Sequence, residues 1–550
     1  MRTSRRTSPG FLCLWLLGSL LFATIRAPMA SAQQKKPPAG TAAKGKEKDQ
    51  AANLALEKAL LQETGKAART YLKDLGGIVS WAVQKGLKAD AEQLLARMSR
   101  IDPEYPGLPK LKEVVAKAEA GAAGKETDDA RKTLSLKVES AGDRYAARLF
   151  DLAKRCMQFG LFTRAYELIR DVLDANPDHK EARRILSYVW DPQSKTWITR
   201  WEFDMRKTSY LTPEGWVKKS DKAKWDKGLR PYKGKWVSKE EEKRIRTRNN
   251  YEPYEVETEH FVVKSNLGRE KALEFAQRLE DFYRVFFDFF IGFHDQIASA
   301  KLLFNLGQAR KKHEVQLFPS RTEYLDFVRQ EKGNDELLVR SAGFWSSMDR
   351  RSFFFWTDNP GETINTLYHE TTHQLLGETK EGATGSPGNV WLVEGIANYM
   401  ELWQEVDGKW RPGYRIDAPS MEVVQGVLEK SPNWTLGGYI AQSHKEFHDP
   451  KGRALNYSLG GALSHFFLHY EDGIYREDFI KLLRHYYEGK LREDSLPRYI
   501  RMEGVDSSQE KMMALQKQFR EYMKNLKRPG AGAEAESAPE EPATKGDPES

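Results

Sequence analysis

The stretch that decides the fold reads Leu367-Tyr-His-Glu-Thr-Thr-His-Gln-Leu-Leu376, followed after a loop by Trp391-Leu-Val-Glu-Gly-Ile-Ala-Asn-Tyr399. His369 and His373 stand four residues apart, and Glu394 comes 21 residues after the second histidine. On a helix, positions i and i+4 project from the same side, so both imidazoles can grip one ion. Glu370 is rotated away from that pair but reaches a water beside the ion, where a carboxylate serves as general base. A catalytic zinc needs a third protein ligand and an open position. Glu394, on a second helix over about 391–403, can supply that ligand. The Gly-rich run 377–389 between the two helices is pliable enough to let them meet. One zinc ion and a hydrolase site are the expectation.

Working outward, Asn359, Pro360 and Glu362 read as an N-cap, a first-turn proline and an early acid that open the motif helix. Leu367, Leu375 and Leu376 form its buried side. Upstream, 342–345 and 352–356 read as a hairpin, and 259–264 and 315–318 as strands. A long amphipathic helix is expected over 269–290, and Ser320 with Glu323 opens another through Val328. Phe344, Trp345 and the strand 353–355 are candidates to line a cleft, with core packing the commoner duty for such residues.

By chance a His-Glu-x-x-His run is expected roughly 0.02 times in a chain of this composition. Two further histidine pairs, His444/His448 and His465/His469, share the four-residue spacing without the glutamate or the later partner. They read as surface or core residues, with His444 able to lie near the site. The two quoted segments together resemble the gluzincin metallopeptidases, in which aminopeptidase N carries HExxH and a WLxEGxA segment. From Glu259-His-Phe-Val-Val to about 525, half the chain is similar to the bacterial peptidase MA-like domain found in exported planctomycete proteins. The resemblance implies a thermolysin-like zincin domain, with His369, His373 and Glu394 as zinc ligands and Glu370 as general base. It also implies an oxyanion-stabilising tyrosine, for which Tyr457, 63 residues past Glu394, is the matching candidate; packing in a helix is its alternative role. The Gly-x-Met-Glu-Asn segment that anchors a substrate amine in aminopeptidases is absent. Ala342-Gly343-Phe344-Trp345 stands near that place without an acid, which favours an endopeptidase over an aminopeptidase. Asn398 is a candidate to orient His369.

Before this region, 51–188 is helical by its three- and four-residue apolar spacing. Gly86, Ala91 and Pro103 repeat the intervals of Gly160, Ala165 and Pro177, which resemble a tetratricopeptide-type hairpin. A generic helical bundle is the alternative. Such repeats commonly hold a protein partner. Residues 189–250 contain six of the 14 tryptophans, and Trp197, Trp216 and Trp236 recur about every 20 residues among Gly, Pro and Lys. Short hairpins are expected there, each tucking one tryptophan into a small core; an exposed aromatic row would instead suit glycans.

The formal charge is +8. Arg2, Arg5 and Arg6, an apolar run over 11–25 and Ala30-Ser31-Ala32 read as a secretory signal peptide, whose removal leaves about +4. That balance does not suggest nucleic-acid binding, and no later segment is apolar enough to span a membrane. An exported, periplasmic or extracellular protein is expected. With Cys156 as its single remaining thiol it has no internal disulfide. The expected architecture is multidomain α+β: signal peptide 1–32, flexible linker 33–50, tetratricopeptide-like helical domain 51–188, Trp-rich β connector 189–250, zincin domain 251–527 and disordered tail 528–550. The expected function is zinc-dependent peptide hydrolysis acting on a peptide or protein substrate. The rival is a cell-envelope binding or scaffold protein that uses its repeats and keeps a structural or vestigial zinc site.

Overall fold

A computed structural model describes residues 39–119, 125–248, 252–294, 312–333, 338–339, 341–357, 360–378, 388–406, 409–411, 419–492, 495–505 and 507–526. The expected signal peptide and tail, Asn359 and most of the loop after the motif helix fall outside these residues. Among the described residues no helix is long and apolar enough to cross a membrane. The protein is mixed α+β, predominantly helical, with one small mixed sheet.

The first helix, Ala39–Gln84, starts inside the stretch read as a linker. Ala, Lys, Glu and Gln are strong helix formers, and they outweigh Gly40 and Gly45 there. Two helical hairpins follow the expected intervals. Helix Ala39–Gln84 turns through Gly86 into Lys88–Ile101, and Lys125–Gln158 turns through Gly160 into Phe162–Ala175. The turns match bond for bond: Leu87 N–H donates to Ala82 O and Leu161 N–H to Cys156 O, each at 2.9 Å. Gly86 and Gly160 both have φ above +70°, which glycine adopts without strain. Ala91, Ala153 and Ala165 are fully buried where the helices touch. Burial pushes the Cys156 thiol up to about 11, so it serves as a small core residue.

The boundary expected near residue 188 does not separate two cores. From residue 50 onward the chain is one compact unit. Its largest core joins Leu149, Ile169 and Val172 of the second hairpin to Phe286, Phe293, Ile480 and Leu483 of the C-terminal region. Ion pairs seal this junction. Arg476 meets Glu167 at 2.6 Å, while Arg501 binds both Asp478 and Glu57. Among the described residues, Tyr71, Leu75, Met98 and their neighbours form a separate core around the first hairpin, and Phe318, Tyr324 and Phe344 a smaller one beside the sheet.

Residues 188–238 form three antiparallel hairpins: β1 (Tyr188–Asp191) with β2 (Thr196–Thr199), β3 (Ser209–Thr212) with β4 (Gly215–Lys218), and β5 (Leu229–Tyr232) with β6 (Lys235–Ser238). The expectation that each tucks a tryptophan into its core is corrected. Ile198 and Val217 are buried, whereas Trp197 and Trp216 beside them are half-buried, as is Trp236. Neighbours on a strand face opposite ways, so in the first two hairpins the residue after the tryptophan takes the inward place.

The main sheet contains β7 (Tyr254–Glu257), β8 (Phe261–Ser265), β9 (His313–Phe318), β10 (Gly343–Ser346) and β11 (Arg351–Phe355), in the order β10-β11-β9-β8-β7. Strands β8, β9 and β11 run parallel, and antiparallel β7 and β10 form the edges. Strand β7 had no expectation attached to it, because Tyr-Glu-Val-Glu carries little apolar signal. The long helix Arg269–Phe289 covers the sheet and the motif helix: Phe282 stacks on Tyr368 at 4.7 Å.

Candidate metal centre

The motif helix spans Pro360–Glu378 and is buried nearly all round. Leu367, Leu375 and Leu376 are fully buried, as the spacing predicts. Two of its buried polar residues find partners inside. Gln374 accepts from Ser352 Oγ and donates to Glu314 O, and Thr372 Oγ1 donates to Tyr368 O. The helix is thereby locked against β9 and β11, which fixes the direction in which His369 and His373 point.

Glu394 lies on helix Val390–Glu401. This helix packs on Arg453–Gly473 with unusual closeness. A Cβ on Gly395 would stand 2.5 Å from Gly460 O, and one on Gly460 would stand 3.0 Å from Gly395 Cα. Only two glycines allow backbones to touch in this way. The contact sets Tyr457, one turn before Gly460, against Glu394.

The three expected ligands converge. His369 Nε2 and His373 Nε2 are 3.2 Å apart, and Glu394 Oε2 lies 3.4 Å from the first and 3.7 Å from the second. A tetrahedral ion with bonds of about 2.0–2.1 Å requires its ligand atoms to stand about 3.3 Å apart. The donor set therefore fits such an ion without rearrangement. His369, His373 and Glu394 constitute a candidate metal-ligand group.

Electrostatics follow from the same geometry. Burial works against the imidazolium of His369, but the Glu394 and Glu401 carboxylates overcome it and hold the group well above its ordinary range. Burial likewise opposes ionisation of Glu394, yet His373 and His369 keep it well below the usual carboxylate range. Glu370 shifts upward, chiefly through burial, with both histidines pulling the other way. Its Oε2 accepts the backbone N–H of Trp345 at 2.9 Å, so edge strand β10 holds the carboxylate in place.

Tyr457 is in the site. Its ring lies nearly parallel to that of His369, 6.4 Å away, and burial together with the Glu394 and Glu370 charges raises its hydroxyl. The phenol accordingly stays a donor at neutral pH. Asn398 does not orient His369, because its side-chain amide donates to Tyr457 O at 2.9 Å. That task belongs to Glu401, which accepts from His369 Nδ1. The spacing held a signal for it: Glu401 follows Glu394 by two helical turns and shares its face. His448, one of the two spare histidine pairs, also reaches the site, with Nδ1 3.3 Å from the Tyr457 hydroxyl. No spacing rule links the two.

These groups line a cavity of about 690 Å³, with Ala342–Trp345 on one side and Val393, His448, Arg453 and Tyr457 on the other. Phe344 and Trp345 do face it, whereas Phe353, Phe354 and Phe355 pack in the core. Comparison with protein-family models, curated proteins and solved structures finds no match to this chain.

Proposed function

We propose that the protein is an exported zinc-dependent metallopeptidase of gluzincin type, acting within chains rather than at a free amino terminus. The observation that carries this reading is the 3.2–3.7 Å convergence of His369, His373 and Glu394 beside a Glu370 carboxylate held by Trp345 N–H. Zinc held by these three ligands supplies Lewis-acid chemistry to a carbonyl and to water. Glu370 takes the proton from water as it attacks and passes it to the leaving amine, a role suited to a carboxyl raised by burial. The Tyr457 hydroxyl donates to the carbonyl oxygen as negative charge develops there. His448 supports that phenol from its other side.

A peptide substrate suits the cavity wall. Strand β10 is an edge of the sheet and lines the cavity, so an extended peptide can add to it as a further strand. No acid stands on β10 to bind a free amine, which favours internal cleavage.

The test is to measure zinc in the purified protein and compare cleavage of a mixed peptide library by the wild type and Glu370→Gln. One zinc per chain in both, with cleavage lowered at least about 100-fold in the variant, is expected. Stoichiometric zinc with no Glu370-dependent cleavage would favour the envelope binding protein with a structural zinc.

A further inference from the structure

Arg453 lines the same cavity as Glu394 and Tyr457, and among the described residues it is the only lysine or arginine there. It opens helix Arg453–Gly473, and Tyr457 follows it by four residues. The two side chains therefore leave one face of the helix about 5–6 Å apart. The Arg453 charge is felt beside the ligands. Burial and the Glu394 and Glu370 charges raise the Tyr457 hydroxyl, and Arg453 acts against them. Burial lowers His448, and His444 and Arg453 add to that effect.

For stability this is a poor place for a cation. Among the described residues no carboxylate forms an ion pair with Arg453. Asp449, the nearest acid in sequence, accepts the Arg453 backbone N–H at its carbonyl and turns its carboxylate to Lys451 N–H at 2.9 Å. The cavity's own acids are engaged: Glu370 with Trp345 N–H, Glu394 with His369 and His373, and Glu401 with His369 Nδ1. The first turn of a helix is also the end at which its dipole repels a cation, and this helix has no acid in that turn to offset it. A half-buried guanidinium held there weakens the fold, whereas an anion entering the cavity gains from both the guanidinium and the dipole.

We propose that Arg453 selects the substrate by binding a carboxylate that the peptide carries within about two residues of the cleaved bond. The planar guanidinium offers paired N–H donors that match the two oxygens of a carboxylate. An extended peptide advances about 3.3 Å per residue, so the separation of Tyr457 and Arg453 spans about two residues. A Glu or Asp side chain and the free C-terminus of a peptide both offer the required group. The inference deepens the reading of this cavity given above, and it rests on the cavity being a peptide site.

The test uses pools of N-acetylated octapeptides in which one position at a time is fixed as Glu, Gln or Lys, each pool made with an amidated and with a free C-terminus. Retention on the immobilised, zinc-loaded Glu370→Gln protein reports binding, and mass spectrometry of products reports cleavage by the wild type. Glu is expected to be retained about tenfold better than Gln at one or two positions, with Lys the poorest. Adding Arg453→Gln should reduce that preference to less than about twofold, and it should not lower the unfolding midpoint. Equal retention of Glu and Gln at every position with no gain from a free C-terminus, a preference that survives Arg453→Gln, or a lowered midpoint would overturn the proposal. A preference that appears only with a free C-terminus supports Arg453, assigns the carboxylate to the chain end and speaks against cleavage within chains. Selective retention without any cleavage by the wild type keeps the carboxylate site and removes the peptidase reading alone.

Discussion

Glu401 accepts a hydrogen bond from Nδ1 of His369 at 2.5 Å, and it does so from the same helix that carries Glu394. One helix therefore supplies both a ligand and the group that fixes the tautomer of another, leaving His369 Nε2 turned toward the centre. A histidine ligand held in this way is both oriented and made a better donor.

Glu401→Gln should lower metal affinity by about 10- to 100-fold while leaving the fold intact. Competition with a chromogenic chelator measures the affinity, and circular dichroism checks the fold. Unaltered affinity would mean that packing alone orients His369.

Tyr457→Phe removes the hydroxyl and keeps the ring that lies parallel to His369. If the phenol stabilises developing charge, kcat falls by about 10²–10³ with KM and zinc content little changed. A rise in KM at constant kcat would instead assign Tyr457 to substrate binding.

Gly395→Ala puts a methyl 2.5 Å from the Gly460 carbonyl oxygen, a backbone atom with nowhere to go. The two helices must part, at an expected loss of about 1–3 kcal/mol in stability. Because Glu394 and Tyr457 flank this contact, zinc affinity should fall with it. Urea unfolding and metal titration test the two effects separately.

Glu477 faces Glu57 at the junction of the helical and C-terminal regions. Burial first, and then the Glu57 charge, push its carboxyl up to about 7 from an ordinary value of 4.5. The folded state thus favours the protonated form. The stability that this group contributes is fully present below about pH 4.5 and is lost as pH rises through 7. Glu477→Gln mimics the protonated acid and can still accept the Arg164 N–H. It should stabilise the protein at pH 8 by about 1–2 kcal/mol, a figure discounted for the partial solvent contact of this side chain, and by nearly nothing at pH 4.5. Thermal melts of both proteins across that range provide the check.

The legible part of this protein lies in local pattern. The four-residue spacing of His369 and His373, the strands and hairpin before them, and the paired turns at Gly86 and Gly160 all depend on bonds within a few residues. Periodicity encodes such bonds directly. Glu394 was legible because it follows in a second apolar helix after a pliable loop.

What tertiary structure decided involves faces and partners. Asn398 and Glu401 both stand on the Glu394 helix, and only the angle at which that helix meets the motif helix selects Glu401 for His369. His448 reaches Tyr457 from just past the end of the short helix His444–Phe447, a proximity that no interval in the chain expresses. The tryptophans at 197, 216 and 236 are apolar enough for a core, yet strand alternation gives the inward places of the first two hairpins to Ile198 and Val217. The expected division at residue 188 disappears because Ile169 and Ile480 share one core, and Arg476 pairs with Glu167 across it. The sequence by itself determined which elements form and which side chains can bind an ion. Their convergence to 3.2–3.7 Å was decided only by the packing of Gly395 on Gly460 and of the motif helix on the sheet, since hydrophobic burial specifies no partner until the chain is folded.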